Sequence, residues 1–134
     1  MTVHHDIKAA DTINQYGMDS PRAQELVAAA AALGPALRSR AASCRANRRV
    51  SDETVADFRE AGFFKILQPE QWGGYAMDPQ VFYAVGVEVA RHCPSSAWIL
   101  GVIAVHNWQL AVFDDQAAHC LLYTSDAADE YQRV

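Results

Sequence analysis

Two stretches of this sequence hold the residues best able to bear on chemistry. One is Gln68-Pro69-Glu70-Gln71-Trp72-Gly73-Gly74; the other, Val105-His106-Asn107-Trp108-Gln109-Leu110-Ala111-Val112-Phe113, closes a long apolar run. Neither is an active site by itself. These residues contain no nucleophile, metal cluster or phosphate loop, so no catalytic residue and no metal ligand is assigned. Trp72, Trp98, His106 and Asn107 are the candidates for lining a pocket. On a helix that advances about 100° per residue, Trp98, Val102, Val105, Gln109 and Val112 share one stripe. By the same geometry His106 lies about 80° from Trp98 and Asn107 lies opposite it, so they cannot all face one pocket. A plainer reading makes His106 a core histidine whose ring bonds a neighbouring carbonyl, and Asn107 and Gln109 links between helices. The sequence leaves both readings open.

The elements that must position these residues read as helices punctuated by Pro and Gly. Ser20-Pro21 is an N-cap followed by Pro at the first helical position, and Glu25 falls in the first turns, where the helix dipole favours an acid. Leu26, Ala30, Leu33 and Leu37 keep helical spacing, but Gly34-Pro35 interrupts it, so a kink or restart is expected before an end near Asn47. Ser51-Asp52 caps a short helix carrying Val55, Phe58 and Ala61, and Gly62 closes it. The segment from Phe63 to Met77 is a loop too apolar to float free; its Gly73-Gly74 turn lets Trp72 fold back as a mostly buried plug. Asp78-Pro79 repeats the cap-plus-Pro signal and opens a helix with Phe82, Val85, Val89 and His92 on one face. A buried helix from about Ser95 to Phe113 follows, and Asp114-Asp115-Gln116 caps another. The fold class expected is all-α.

Composition narrows the function classes. The 134 residues carry a net charge of −5. Arg38, Arg40, Arg45, Arg48 and Arg49 form the one basic cluster, without interleaved aromatics, and read as a solvated helix face rather than a nucleic-acid surface. At most nine residues, Ala97 to Val105, run without a polar side chain; that is about half a membrane span. Cys44 and Cys93 stand far apart in sequence, with neither a paired framework nor a CxxC spacing, and residues 1–10 have no secretory apolar core. These features place the chain in the cytoplasm, with no nucleic acid and no membrane as partner.

Residues 120–134 look foreign. Cys120 to Glu130 reads CLLYTSDAADE, which resembles a frame translation of a transposon-end sequencing adapter, and such a segment is set aside from fold reasoning. Removing Asp126, Asp129, Glu130 and Arg133 with it leaves residues 1–119 at a net −3. The domain reading is thus a flexible N-terminus over 1–19, an incomplete helical domain over 20–119 and an artefactual tail over 120–134.

From about Leu26 to His119, the Trp72-Gly73-Gly74 loop and the His106-Asn107-Trp108 run resemble the N-terminal helical domain of flavin-dependent monooxygenases built on the acyl-CoA dehydrogenase fold. The likeness is greatest to the oxygenase component that hydroxylates a phenolic secosteroid ring. In that family the Trp of a Ser-x-x-Trp stretch lies in the flavin-binding region, and Ser95-Ser96-Ala97-Trp98 matches it. The resemblance implies that Trp98 walls the isoalloxazine and excludes water; its plainer role would be core packing. It also implies reduced flavin, FMN rather than FAD, supplied by a partner flavin reductase. Dioxygen and a phenolic small molecule would be the co-substrates and a homotetramer the assembly, with the base and most flavin phosphate contacts in domains this truncated chain lacks. Two other readings compete. One is the N-terminal domain of a true acyl-CoA dehydrogenase, with FAD and α,β-desaturation, whose loop commonly reads Tyr-Gly-Gly where this chain has Trp72. The other is a non-catalytic helical interaction domain.

Overall fold

The computed structural model describes residues 14–123. Six helices form there: α1 (Pro21–Ala32), α2 (Gly34–Asn47), α3 (Asp52–Glu60), α4 (Pro79–Ala90), α5 (Pro94–Gln109) and α6 (Asp115–Tyr123). Two single 3-10 turns, Phe63–Lys65 and Glu70–Trp72, lie between α3 and α4, and the described residues contain no strand. The all-α expectation is met. Residues 1–13 and 124–134 lie outside the described residues, and with them most of the segments set apart at the two ends. Residues 14–19 form turns tied to the start of α4: Asn14 Nδ2 donates to Asp78 Oδ2 at 3.0 Å and the Asp78 amide donates to the Tyr16 carbonyl at 2.9 Å. Helix α6 continues through residue 120 to Tyr123.

The helix starts follow local chemistry. Ser20 Oγ accepts from the Ala23 amide at 3.2 Å and donates to the Gly17 carbonyl at 2.7 Å, both within a buried corner. Removing that oxygen orphans a buried amide, so Ser20→Ala is expected to lower the unfolding free energy by about 1 kcal/mol, read as a lower urea midpoint. Ser51 Oγ accepts from the Thr54 amide at 3.3 Å. At that same terminus Glu53 is held below the usual carboxylate range by its own backbone amide and then by the Ser51 hydroxyl. Two cap expectations need correction. Glu25 lies beyond the first turn of α1, which holds no acid, and Asp78 occupies the N-cap position of α4 without a side-chain cap bond because its carboxylate is taken by Asn14.

The break between α1 and α2 has a packing cause. A Cβ at Gly34 would fall 2.5 Å from His92 Nε2, so the missing side chain lets the His92 ring rest on the start of α2. Arg38 holds that ring from its other side, Nη1 to Nδ1 at 2.5 Å, and Glu88 Oε1 is 3.4 Å from Nε2. Helix α2 ends without glycine. Arg48 takes the left-handed conformation at φ 50°, and the Arg49 amide reaches back to the Cys44 carbonyl at 3.2 Å, closing the last turn.

The core joins α1, α4 and α5 with the first 3-10 turn. Its members are Leu26, Ala30, Leu37, Phe58, Phe63, Ile66, Val81, Val85, Val89, Leu100 and Ala104, all buried. Phe58 and Phe63 stack with centroids 5.6 Å apart. The loop after α3 is strapped to itself by main-chain bonds: Tyr75 to the Lys65 carbonyl at 2.8 Å, Ala76 to Gln68 at 2.9 Å and Met77 to Ile66 at 2.8 Å. A Cβ at Gly74 would lie 2.0 Å from the Gln68 carbonyl oxygen, so only glycine permits that crossing. The plug reading of Trp72 is revised accordingly. Phe63, Ile66, Leu67 and Met77 fill the core from this loop, while Trp72 is half-buried with a buried indole N–H that finds no acceptor.

Helix α5 departs most from expectation. It ends at Gln109, and Leu110 to Val112 continue as tight turns in which Ala111 bonds the Trp108 carbonyl at 2.9 Å and Val112 bonds Gln109 at 3.0 Å. It is not buried all round: Ser96, Leu100 and Ala104 face the core, whereas Trp98, Val102, Ile103, Val105 and Trp108 are exposed. This inward face packs against α4, the element with which α5 makes its most extensive contact.

Candidate functional site

Trp98 projects from the first turns of α5 and is 73% exposed, which removes the core-packing reading. It stands between two hollows. On one side a groove of about 850 Å³ runs between the end of α2 and the start of α5, lined by Cys44, Arg45, Arg48, Val55, Trp98 and Ile99. On the other a smaller hollow of about 400 Å³ runs over α4, bordered by Phe82, Tyr83, Val87, Trp98 and Gly101. The stripe drawn from helical spacing is real: Trp98, Val102 and Val105 are all exposed. It points outward, away from the core.

His106 and Asn107 diverge. His106 is exposed, and its Nδ1 meets the Val102 carbonyl one turn back at 2.5 Å. It is therefore a surface histidine, although its ring does bond a carbonyl as the plainer reading held. Asn107 turns inward, and its Nδ2 donates to the Phe64 carbonyl at 2.8 Å, linking α5 to the turn after α3. That bond goes to a loop rather than to another helix, and it gives Asn107 a structural task. Asn107→Leu removes the donor from a part-buried carbonyl, with an expected cost of about 1 to 3 kcal/mol in denaturant titration. Trp72 borders neither hollow beside Trp98. Of the four candidates, then, Trp98 and His106 share the exposed side of α5, while Asn107 and Trp72 serve the loop.

Sequence reasoning missed the groove. The Arg cluster was read as a solvated face, and Arg38, Arg45, Arg48 and Arg49 are indeed exposed, but Arg45, Arg48 and Arg49 also border the groove. Arg40 is half-buried, bonding Asp57 Oδ2 at 2.6 Å and Thr54 Oγ1 at 3.2 Å; this pair ties α2 to α3. Arg49 meets Asp52 at 2.6 Å in an exposed pair that contributes little to stability. The arrangement sets a flat indole and several aliphatic side chains beside cationic guanidinium groups. It can receive a planar apolar body on one wall and a negative group on another.

Cys44, at the end of α2, lines this groove, and Cys93, buried, sits at the N-cap of α5. Burial pushes the Cys44 thiol up, reinforced by Cys93. Burial also acts to raise Cys93, but hydrogen bonds from the Ser96 hydroxyl and amide and from Cys44 outweigh it and leave that thiol below its ordinary range. No group of three or more His, Cys, Asp or Glu suited to a metal occurs among the described residues, and no helix among them is long and apolar enough to cross a membrane.

With that geometry in place, the likeness to known proteins can be stated. Residues 20–117 match the family model of the acyl-CoA dehydrogenase N-terminal domain. Over 86 residues the chain is 48% identical to the flavin-dependent monooxygenase oxygenase subunit HsaA of Rhodococcus jostii, covering 64% of this chain and 22% of that protein. It is 30% identical over 92 residues to the oxygenase component of the FADH(2)-dependent resorcinol hydroxylase of a Rhizobium species, covering 69% of this chain and 22% of the relative. The crystal structure of the HsaA monooxygenase from M. tuberculosis superposes with a TM-score of 0.69 at 43% identity, covering 71% of this chain and 26% of that one. The chain thus spans about a quarter of the length of the relatives it matches.

Proposed function

The chain belongs to the acyl-CoA dehydrogenase N-terminal domain family, and from that premise we propose that it forms one helical wall of the oxygenase component of a two-component, reduced-flavin monooxygenase acting on a phenolic ring. The reading includes a partner flavin reductase, FMN as the flavin, dioxygen as co-substrate and a homotetramer in the cytoplasm. It is supported by relatives whose names are those of monooxygenase and hydroxylase oxygenase components. The observation that carries it is Trp98: a large indole, 73% exposed, on an apolar face of α5 beside Val102 and Val105. Such a face suits one side of an isoalloxazine ring, which when bound supplies the redox chemistry that activates dioxygen. What this chain adds is exclusion of water by Trp98 and its aliphatic neighbours. His106, exposed on the same helix, is read as a substrate or pocket residue of the complete site, a reading that its exposure supports.

Grafting residues 20–117 in place of the matching segment of the Rhodococcus jostii oxygenase subunit tests the reading. With reductase and NADH, the graft is expected to hydroxylate a phenolic secosteroid with FMN, and FAD run in parallel decides the flavin. Trp98→Ala in that graft is expected to leave the fold intact and to divert most of the reduced flavin's electrons to hydrogen peroxide. A folded, flavin-bound graft that desaturates an acyl-CoA thioester, or that yields no phenol product, would overturn it.

A further inference from the structure

We infer that the groove between the end of α2 and the start of α5 binds a planar, singly charged carboxylate, an aromatic acid whose ring lies on Trp98 and whose carboxylate meets Arg45 and Arg48. Trp98 borders this groove and the flavin face alike, but Val102 and Val105, which carry the flavin face, are not among the groove's walls. Its size and make-up fit such a ligand. At about 850 Å³ it falls in the range of small-molecule sites, which are mostly apolar with a few placed polar groups, and its walls set Val55, Trp98 and Ile99 beside arginines. Its positive charge is not compensated. Arg49 is paired with Asp52 at 2.6 Å, whereas Arg45 and Arg48, both exposed, make no ion pair among the described residues.

Arg48 is the sharper observation. It follows α2 in the left-handed conformation, at φ 50° and ψ 33°, where glycine sits without strain and a side chain does not. Ending the helix needs only the backbone turn, and Arg45 in the last turn already sets a cation at the negative end of the α2 dipole. Neither need explains a strained arginine on the wall of a groove; an anion in the groove does. A guanidinium plane presents parallel N–H donors that match the two oxygens of a carboxylate, and an indole offers a flat apolar surface to an aromatic ring. The wall also selects a single charge. Asp52 lies on it, so a dianionic phosphate ester would meet a carboxylate as well as the arginines and be repelled by it.

The test is to titrate the 134-residue chain with naphthoate, with neutral naphthamide and with naphthyl phosphate, following the indole N–H resonances by NMR. Naphthoate is expected to saturate with a dissociation constant of about 1 mM or below. It should bind about tenfold tighter than naphthamide or naphthyl phosphate. The Trp98 resonance should move, while Trp72 and Trp108, which line no part of the groove, stay in place. Arg45→Gln and Arg48→Gly are each expected to weaken naphthoate by about fivefold and to leave naphthamide unchanged. Arg48→Gly should also unfold at an equal or higher urea concentration, because its backbone strain is gone. Equal affinity for the acid and the amide, tighter binding of naphthyl phosphate, or shifts that spread to Trp108 as on an unselective apolar face would overturn the inference. So would an Arg48→Gly chain that loses stability yet binds naphthoate as before. The acid-to-amide ratio of the unmutated chain decides the matter even if a variant does not fold.

Discussion

Phe63→Ala is expected to cost about 3 to 5 kcal/mol of unfolding free energy, because a fully buried ring leaves a cavity that its neighbours cannot close. Phe63 is 0% exposed and sits in a 3-10 turn, a short element with little backbone freedom to relax. Its ring packs on Phe58, and its turn joins α3 to α5, so the cavity would open where three elements meet. Small domains keep only about 5 to 15 kcal/mol in total, so this one change removes a large share of the stability. Equilibrium urea denaturation followed by circular dichroism measures it; a loss below about 1 kcal/mol would mean that the turn rearranges to fill the space. Trp72, the loop residue that looked more important in sequence, is expected to behave differently. It is half-buried, and its N–H is already without an acceptor, so Trp72→Phe removes an unmet polar group along with little packing.

That reversal shows where the sequence was legible. Helix starts were readable because capping is local: Ser20-Pro21 and Ser51 each act within a few residues. Helix ends were readable at Gly62 after α3 and near Asn47 in α2, but not in α5. Leu110 to Phe113 continue the apolar pattern of α5 with no Gly or Pro, so the spacing ran past the stop at Gln109. The inward face of α5 was hidden for a related reason. A helix apolar on most sides has several stripes of similar hydrophobicity, and spacing alone does not say that Ser96, Leu100 and Ala104 are the ones that face the core. Contacts between distant positions left no trace: the Asn107 bond to Phe64 and the His92 ring over Gly34 depend on tertiary approach. The candidate site was legible in part. Trp98 was singled out by its Ser-x-x-Trp setting, whereas the groove that the exposed Arg45, Arg48 and Arg49 border depends on α2 and α5 lying side by side.

The other large effect concerns activity: the 134-residue chain alone is expected to hydroxylate no phenol above background and to hold no flavin tightly. Trp98, Val102 and Val105 are open to solvent, so any ring laid against them keeps its opposite face in water, whereas oxygen transfer from reduced flavin requires water to be shut out. One apolar wall also supplies too little contact to offset the cost of immobilising a ligand. The same exposure makes the chain adhesive. Tyr83, Val87, Trp98, Val102, Ile103, Val105, Trp108 and Val112 are all exposed, and apolar surface of that kind drives association. Equilibrium dialysis against reduced FMN, followed by turnover with a flavin reductase and NADH, tests the first point; light scattering against concentration tests the second. Micromolar flavin binding with product formed in step with NADH would show that these helices complete a site unaided, and would move the chemistry onto Trp98 and His106 themselves. Loss of self-association together with gain of hydroxylation in the graft would assign both properties to one cause, the apolar face of α5 finding the surface it covers.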